Sequence, residues 1–148
     1  MRSKNSAFTE FQINDWFKQI CSALSYLKSK KIVHRDLKPL NIFLSGNQIK
    51  IGDFGLSKVL VNDSTRVKDV VGTCRYIPPE ILNREPYNTK SDLWAVGCTI
   101  YELCTLEKAF NGYSRWDIED KIKAGQYDPI AEDRPYSVKL RKIVDLLL

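Results

Sequence analysis

From Leu93 to Leu106 the chain is apolar on nearly every side, with Tyr101 and Glu102 as the main interruptions. Ser91 is a good N-cap, so a helix is expected from there to about Thr105. A helix apolar all round is a buried one. The stretch is too short to span a bilayer, so it belongs at the centre of a globular fold. The 148 residues make one domain at most and are enough for a real core.

Other elements follow from local pattern. Thr9-Glu10-Phe11-Gln12 has the form of a capping box. Ile13, Trp16, Phe17, Ile20, Leu24 and Leu27 then recur at helical spacing, up to Ser29-Lys30-Lys31. Ile32-Val33 reads as a short strand leading into His34. Trp116 to Ala124 reads as a short helix closed by Gly125, and Ser137 starts another. Asn41-Ile42-Phe43-Leu44 and Ile49-Lys50-Ile51 flank the turn cluster Ser45-Gly46-Asn47-Gln48, which reads as a tight hairpin. The expected class is α+β and mainly helical.

A hairpin brings its outer ends together, so Asn41 and Asp53 should be neighbours. An amide oxygen beside a carboxylate suits Mg²⁺, which takes one or two protein oxygens along with phosphate and water. Asp36 and Lys38 lie on the loop feeding the same end. Two carboxylates, an amide and an ammonium so spaced fit a nucleotide's phosphates and a hydroxyl acceptor.

His34-Arg35-Asp36-Leu37-Lys38-Pro39-Leu40-Asn41 followed by Asp53-Phe54-Gly55 resembles the catalytic loop and metal motif of protein kinases. The resemblance implies Asp36 as the catalytic base and Lys38 beside the γ-phosphate. It implies Asn41 and Asp53 as the Mg²⁺ ligands, and Phe43 under the adenine of ATP. Gly55 would let Phe54 swing, and His34 would pack against Phe54. Gly72-Thr73-Cys74-Arg75-Tyr76-Ile77-Pro78-Pro79-Glu80 is similar to the end of a kinase activation segment, with Pro78 where a small residue often stands. Thr73 would then hydrogen-bond Asp36 and Lys38, as in serine/threonine kinases. Ser91-Asp92-Leu93-Trp94-Ala95-Val96-Gly97 resembles the motif whose aspartate ties the central helix to the catalytic loop. Taken alone, Asp92 reads as ordinary helix-start electrostatics; within this motif it reads as the tie.

Asp15-Trp16-Phe17, Asn41-Ile42-Phe43-Leu44, Tyr87-Asn88 and Leu103-Cys104-Thr105-Leu106-Glu107-Lys108-Ala109-Phe110 are similar to the NIMA-related serine/threonine kinases. The implied reaction is γ-phosphoryl transfer from ATP, with Mg²⁺, to a protein hydroxyl. Leu56 after the metal motif implies a preference for serine. Arg35 implies control through the activation segment, where Asp69 stands at the group's phosphosite. Asp69 is either a partial phosphate mimic facing Arg35 or a solvated loop carboxylate. Ser64 and Thr65 are alternative phosphosites.

The expectation is a partial kinase domain over 1–148: a C-lobe without the glycine-rich loop, the strand lysine and the hinge of the N-lobe. Glu80 would lack the arginine the family pairs with it. The segment alone is therefore expected to transfer phosphate weakly or not at all. The alternative is a non-catalytic interaction module. A small-molecule phosphotransferase is disfavoured by Thr73 and the Pro78-Pro79-Glu80 segment.

A net charge of +5 with scattered lysines and arginines implies no nucleic-acid surface. The four cysteines make no C-x-x-C pair, and His34 is the only histidine, so no zinc site is expected. Cys21, Cys98 and Cys104 are expected in the core, and Cys74 near the substrate pocket. No secretion signal or membrane span is legible, so the expected setting is cytoplasmic, with the cytoskeleton suggested by resemblance. The expected partner is a protein substrate, and no oligomeric state follows.

Overall fold

The computed structural model describes residues 8–60 and 71–148. Helix α1 (Glu10–Ser29) opens on the capping box read from sequence. The Thr9 hydroxyl accepts the Gln12 N–H, and the Gln12 side chain accepts the Thr9 N–H. Its buried stripe is Ile13, Trp16, Ile20, Leu24 and Leu27. After α1 come β1 (Ile32–Val33), a 3-10 turn over Pro39–Asn41, and the hairpin β2 (Ile42–Ser45) and β3 (Gln48–Ile51). The hairpin is antiparallel, with Ile42 opposite Ile51. Gly46 holds φ +59 at the first of its two turn positions, where the tight hairpin turns need a residue with positive φ. Gln19 fastens this turn to α1: its amide nitrogen donates to the Asn47 carbonyl at 2.9 Å and its oxygen accepts from the Ile49 N–H at 2.8 Å.

Strand β4 (Lys58–Val59) pairs antiparallel with β1. A second 3-10 turn (Cys74–Tyr76) and the short α2 (Pro79–Leu82) precede the central helix α3 (Ser91–Thr105). Helices α4 (Arg115–Ala124) and α5 (Val138–Leu147) follow, each capped by a serine, Ser114 and Ser137. Helix α3 is buried at twelve of its positions, as its composition requires, and packs against α1, α5 and the second 3-10 turn. The larger core lies around it, and a smaller cluster joins Val33 of β1 to Ile77, Ile81 and Tyr87. Among the described residues no helix is long and apolar enough to cross a membrane.

Two expectations are corrected. Ser91 is the first residue of α3 and not its cap; Lys90 takes the cap position with helical backbone and no side-chain cap bond. The Ser91 hydroxyl is committed elsewhere, donating to Glu80 Oε1 at 2.7 Å and accepting the Asn88 N–H at 3.2 Å. Cys21 is only half-buried, unlike the fully enclosed Cys98 and Cys104. Asp69, Ser64 and Thr65 lie outside the described residues.

Glu10 joins the two ends of the described chain. Its carboxylate accepts both the Ser137 hydroxyl and the Ser137 N–H. The Ser137 hydroxyl is the main reason its pKa falls below the ordinary 4.5, burial opposing and the Ser137 N–H assisting. A carboxyl depressed on folding stabilises above its unfolded pKa and loses that contribution as pH falls through the folded one. Glu10→Gln is therefore expected to lower the melting temperature at neutral pH, with the gap to wild type closing below pH 4.5. A pH-independent gap would contradict this.

Candidate active site

The loop between β1 and the first 3-10 turn is held from below by one carboxylate. Asp92, 3% exposed at the start of α3, accepts the His34 N–H at 2.9 Å and the Arg35 N–H at 3.0 Å. Its Oδ1 also accepts the Tyr87 hydroxyl at 3.1 Å. This anchoring matters because Arg35 sits at φ +68, a left-handed conformation that a non-glycine residue keeps only when its surroundings enforce it. The sequence-based reading of Asp92 as a tie between α3 and this loop matches the geometry. Tyr87 was read only as part of the Tyr87-Asn88 resemblance; its bond to Asp92 was not anticipated.

Asp36 then sits at the centre of a cluster. Lys38 Nζ donates to Asp36 Oδ2 at 2.6 Å and to the Thr73 hydroxyl at 2.7 Å. The Thr73 hydroxyl and N–H both donate to Asp36 Oδ1 at 3.0 Å. Asn41 donates through its amide nitrogen to the Asp36 carbonyl at 2.8 Å and to Oδ2 at 3.2 Å. Burial pushes the Asp36 carboxyl up, but the Lys38 ammonium and the Thr73 donors outweigh it and hold the pKa below its ordinary value. Asp36 is thus an anion at neutral pH. Gly72, at φ +110, lets the Thr73 segment come this close: a Cβ there would meet the Arg35 carbonyl at 2.7 Å.

His34 is fully buried and serves as a strut. Its Nδ1 faces the Asp36 N–H at 3.4 Å, which assigns the ring proton to Nε2, 3.0 Å from the Gly52 carbonyl. Its ring lies 4.9 Å from that of Phe54. The hairpin brings the other donors round: the Gly52 N–H donates to the Asn41 carbonyl at 2.9 Å, next to Asp53. The residue with positive φ here is Asp53, at +57, and not Gly55. Asp53 is exposed, and its Oδ1 accepts the Gly55 N–H at 3.3 Å.

These residues fit Mg²⁺. With the Asn41 nitrogen committed to Asp36, the amide oxygen is its remaining donor, and the exposed Asp53 carboxylate is a second hard oxygen. Phe43, 55% exposed, covers Gly52 with its ring edge, so an apolar face lies next to Asp53. Arg35 Nε donates to the Leu56 carbonyl at 2.6 Å, while its buried Nη1 has no partner among the described residues. Glu80 accepts from Ser91. Thiol chemistry is not favoured at Cys74, which is half-buried and whose pKa is raised chiefly by burial. The structure thus brings Asp36, Lys38, Asn41 and Thr73 into one cluster, with Asp53 and Phe43 beside it. Glu80 stands apart, on α2.

Comparison with known proteins agrees with this arrangement. A sequence model of the protein kinase domain matches residues 1–147. The chain is 45% identical to a probable serine/threonine-protein kinase nek3 of Dictyostelium discoideum, over 98% of its own length and 13% of that protein's. It is 43% identical to mouse Nek1, over 97% of the chain and 12% of the relative. It is 46% identical to Nek8 of Danio rerio, over 95% of the chain and 20% of the relative. The chain thus spans less than a third of the length of these relatives. The chain belongs to the protein kinase family, and these relatives are NIMA-related serine/threonine kinases.

Proposed function

We propose that this chain carries the acceptor and metal half of a serine/threonine kinase site, which transfers the γ-phosphoryl group of ATP to a protein hydroxyl. The Asp36–Lys38–Thr73 cluster is the observation that carries the reading. Asp36 is ionised and held on both oxygens, so it can accept the hydrogen bond of an acceptor hydroxyl and orient its oxygen. As the new O–P bond forms and the bond to the β-phosphate oxygen breaks, the hydroxyl proton passes to Asp36 and ADP departs. The Lys38 ammonium is 2.6 Å from Asp36 and so lies where charge on the transferring group develops. Asn41 and Asp53 would hold Mg²⁺, which would supply charge neutralisation at the phosphates. Phe43 offers an apolar surface suited to the adenine ring. Leu56 supports a preference for serine acceptors.

Arg35 supports a switch. A buried guanidinium nitrogen without a partner favours an anion beside it. Asp69, or a phosphate on Ser64 or Thr65, is the group proposed to supply it. Asp69→Ala in the native polypeptide is expected to lower the transfer rate; unchanged activity would sink the idea.

Residues 1–148 alone are expected to transfer phosphate weakly or not at all, because no segment among them resembles the glycine-rich loop or the N-lobe lysine that hold the nucleotide in a kinase. The test is a transfer assay on the native polypeptide that contains these residues, purified from its own cells. Transfer that Asp36→Asn abolishes supports the kinase reading. A folded polypeptide that transfers nothing supports the alternative, a non-catalytic interaction module.

A further inference from the structure

We infer that Lys108 is a positioning residue for the acceptor site, acting through Tyr76 on Thr73. This rests on the kinase reading above and adds to it a residue outside the motifs that carry that reading.

The segment holding Thr73 is fastened at two ends. Its front end closes on the catalytic loop through Gly72 and Thr73. Its back end is fastened to α3 and the loop that follows it. Tyr76 donates its hydroxyl to Glu102 Oε2 at 2.6 Å. Lys108 Nζ donates to the Tyr76 hydroxyl at 2.8 Å and to Glu102 Oε1. The neighbouring Arg75 donates to the Phe110 carbonyl at 2.7 Å and to Asn111 Oδ1 at 3.0 Å. Asn111 in turn donates to the Lys108 carbonyl at 2.9 Å.

Front and back are one 3-10 turn apart. The Tyr76 N–H donates to the Thr73 carbonyl at 2.8 Å, so a shift of Tyr76 moves Thr73 directly. The phenol is buried, and burial together with Glu102 keeps it protonated well above the ordinary value. It must therefore keep its proton on Glu102 and takes its one incoming donor from Lys108. Without the ammonium, Glu102 is a partly buried carboxylate that has lost its ion-pair partner beside the phenol. Such a group turns toward water and releases the tyrosine. Lys108 is 40% exposed and touches none of the groups placed around Asp36, so its effect is on position and not on chemistry.

Substitutions separate this from a general packing role. Lys108→Met keeps an unbranched apolar stem of similar length and removes the charge; Lys108→Arg keeps the charge. In the native polypeptide, Lys108→Met is expected to lower kcat/KM for the protein substrate about tenfold, with KM for ATP unchanged and Lys108→Arg restoring most of the loss. In a Thr73→Ala background the same change should cost nothing more, since the group it positions is gone. Amide hydrogen exchange gives a readout independent of catalysis: the Thr73 N–H, bonded to Asp36, should exchange faster in Lys108→Met. Additive losses in the cycle, or unchanged exchange at Thr73, would overturn the inference while leaving Asp36-dependent transfer, and so the kinase reading, intact. Absence of Asp36-dependent transfer in the wild type would overturn both.

Discussion

Asp92→Ala is expected to destabilise the fold by about 3–5 kcal/mol, lowering the melting temperature by roughly 10 °C or more. The carboxylate is 3% exposed and satisfies three donors. Two of them are backbone N–H groups of the catalytic loop, which cannot turn to water without unmaking that loop. The change also frees Arg35 from the restraint that holds its left-handed φ. Asp92→Asn should cost about half as much, because its amide oxygen still accepts while its NH₂ faces a donor. Thermal unfolding followed by circular dichroism measures both. A melting point within about 2 °C of wild type for Asp92→Ala would contradict the role assigned to it.

Asp36→Asn is expected to lower phosphoryl transfer by about 10²–10⁴-fold, the range for loss of a positioned proton acceptor. The amide oxygen can keep the Thr73 bonds, but the NH₂ then faces the Lys38 and Asn41 donors, so some loss of stability is expected and the variant is compared while folded. Lys38→Met should also lower transfer strongly, because it removes charge at the transferring group and a donor to both Asp36 and Thr73. Since the folded Asp36 pKa is depressed, the acid limb of the rate profile should lie below the ordinary carboxylate value and not near neutrality. A near-neutral limb that disappears in Asp36→Asn would contradict the geometry.

Elements with local signals were legible in the sequence. Helix α1 was, because Thr9, Gln12 and the apolar spacing agree; the hairpin was, because Gly46 supplies the needed positive φ. Strand β4 was not: two residues have no period, and Lys58–Val59 becomes a strand only by pairing with β1. The Ser91 cap failed because a serine beside an aspartate suits several positions, and Glu80 claims its hydroxyl from a distance. In the site, Asp36, Lys38, Asn41, Asp53 and Thr73 were readable because they stand in short motifs. The Tyr76–Glu102–Lys108 group was not, since it joins three segments that only the packed α3 brings together. The left-handed Asp53, where Gly55 seemed the freer residue, reflects a hairpin exit that is held by the Gly52 bond to Asn41.

The most direct measurement is transfer of labelled γ-phosphate from Mg·ATP by the native polypeptide, wild type beside Asp36→Asn, with the labelled residue identified. The account predicts label on serine above threonine, none on tyrosine, and none above background with Asp36→Asn. A folded wild type that labels nothing, or labels equally without Asp36, would contradict it.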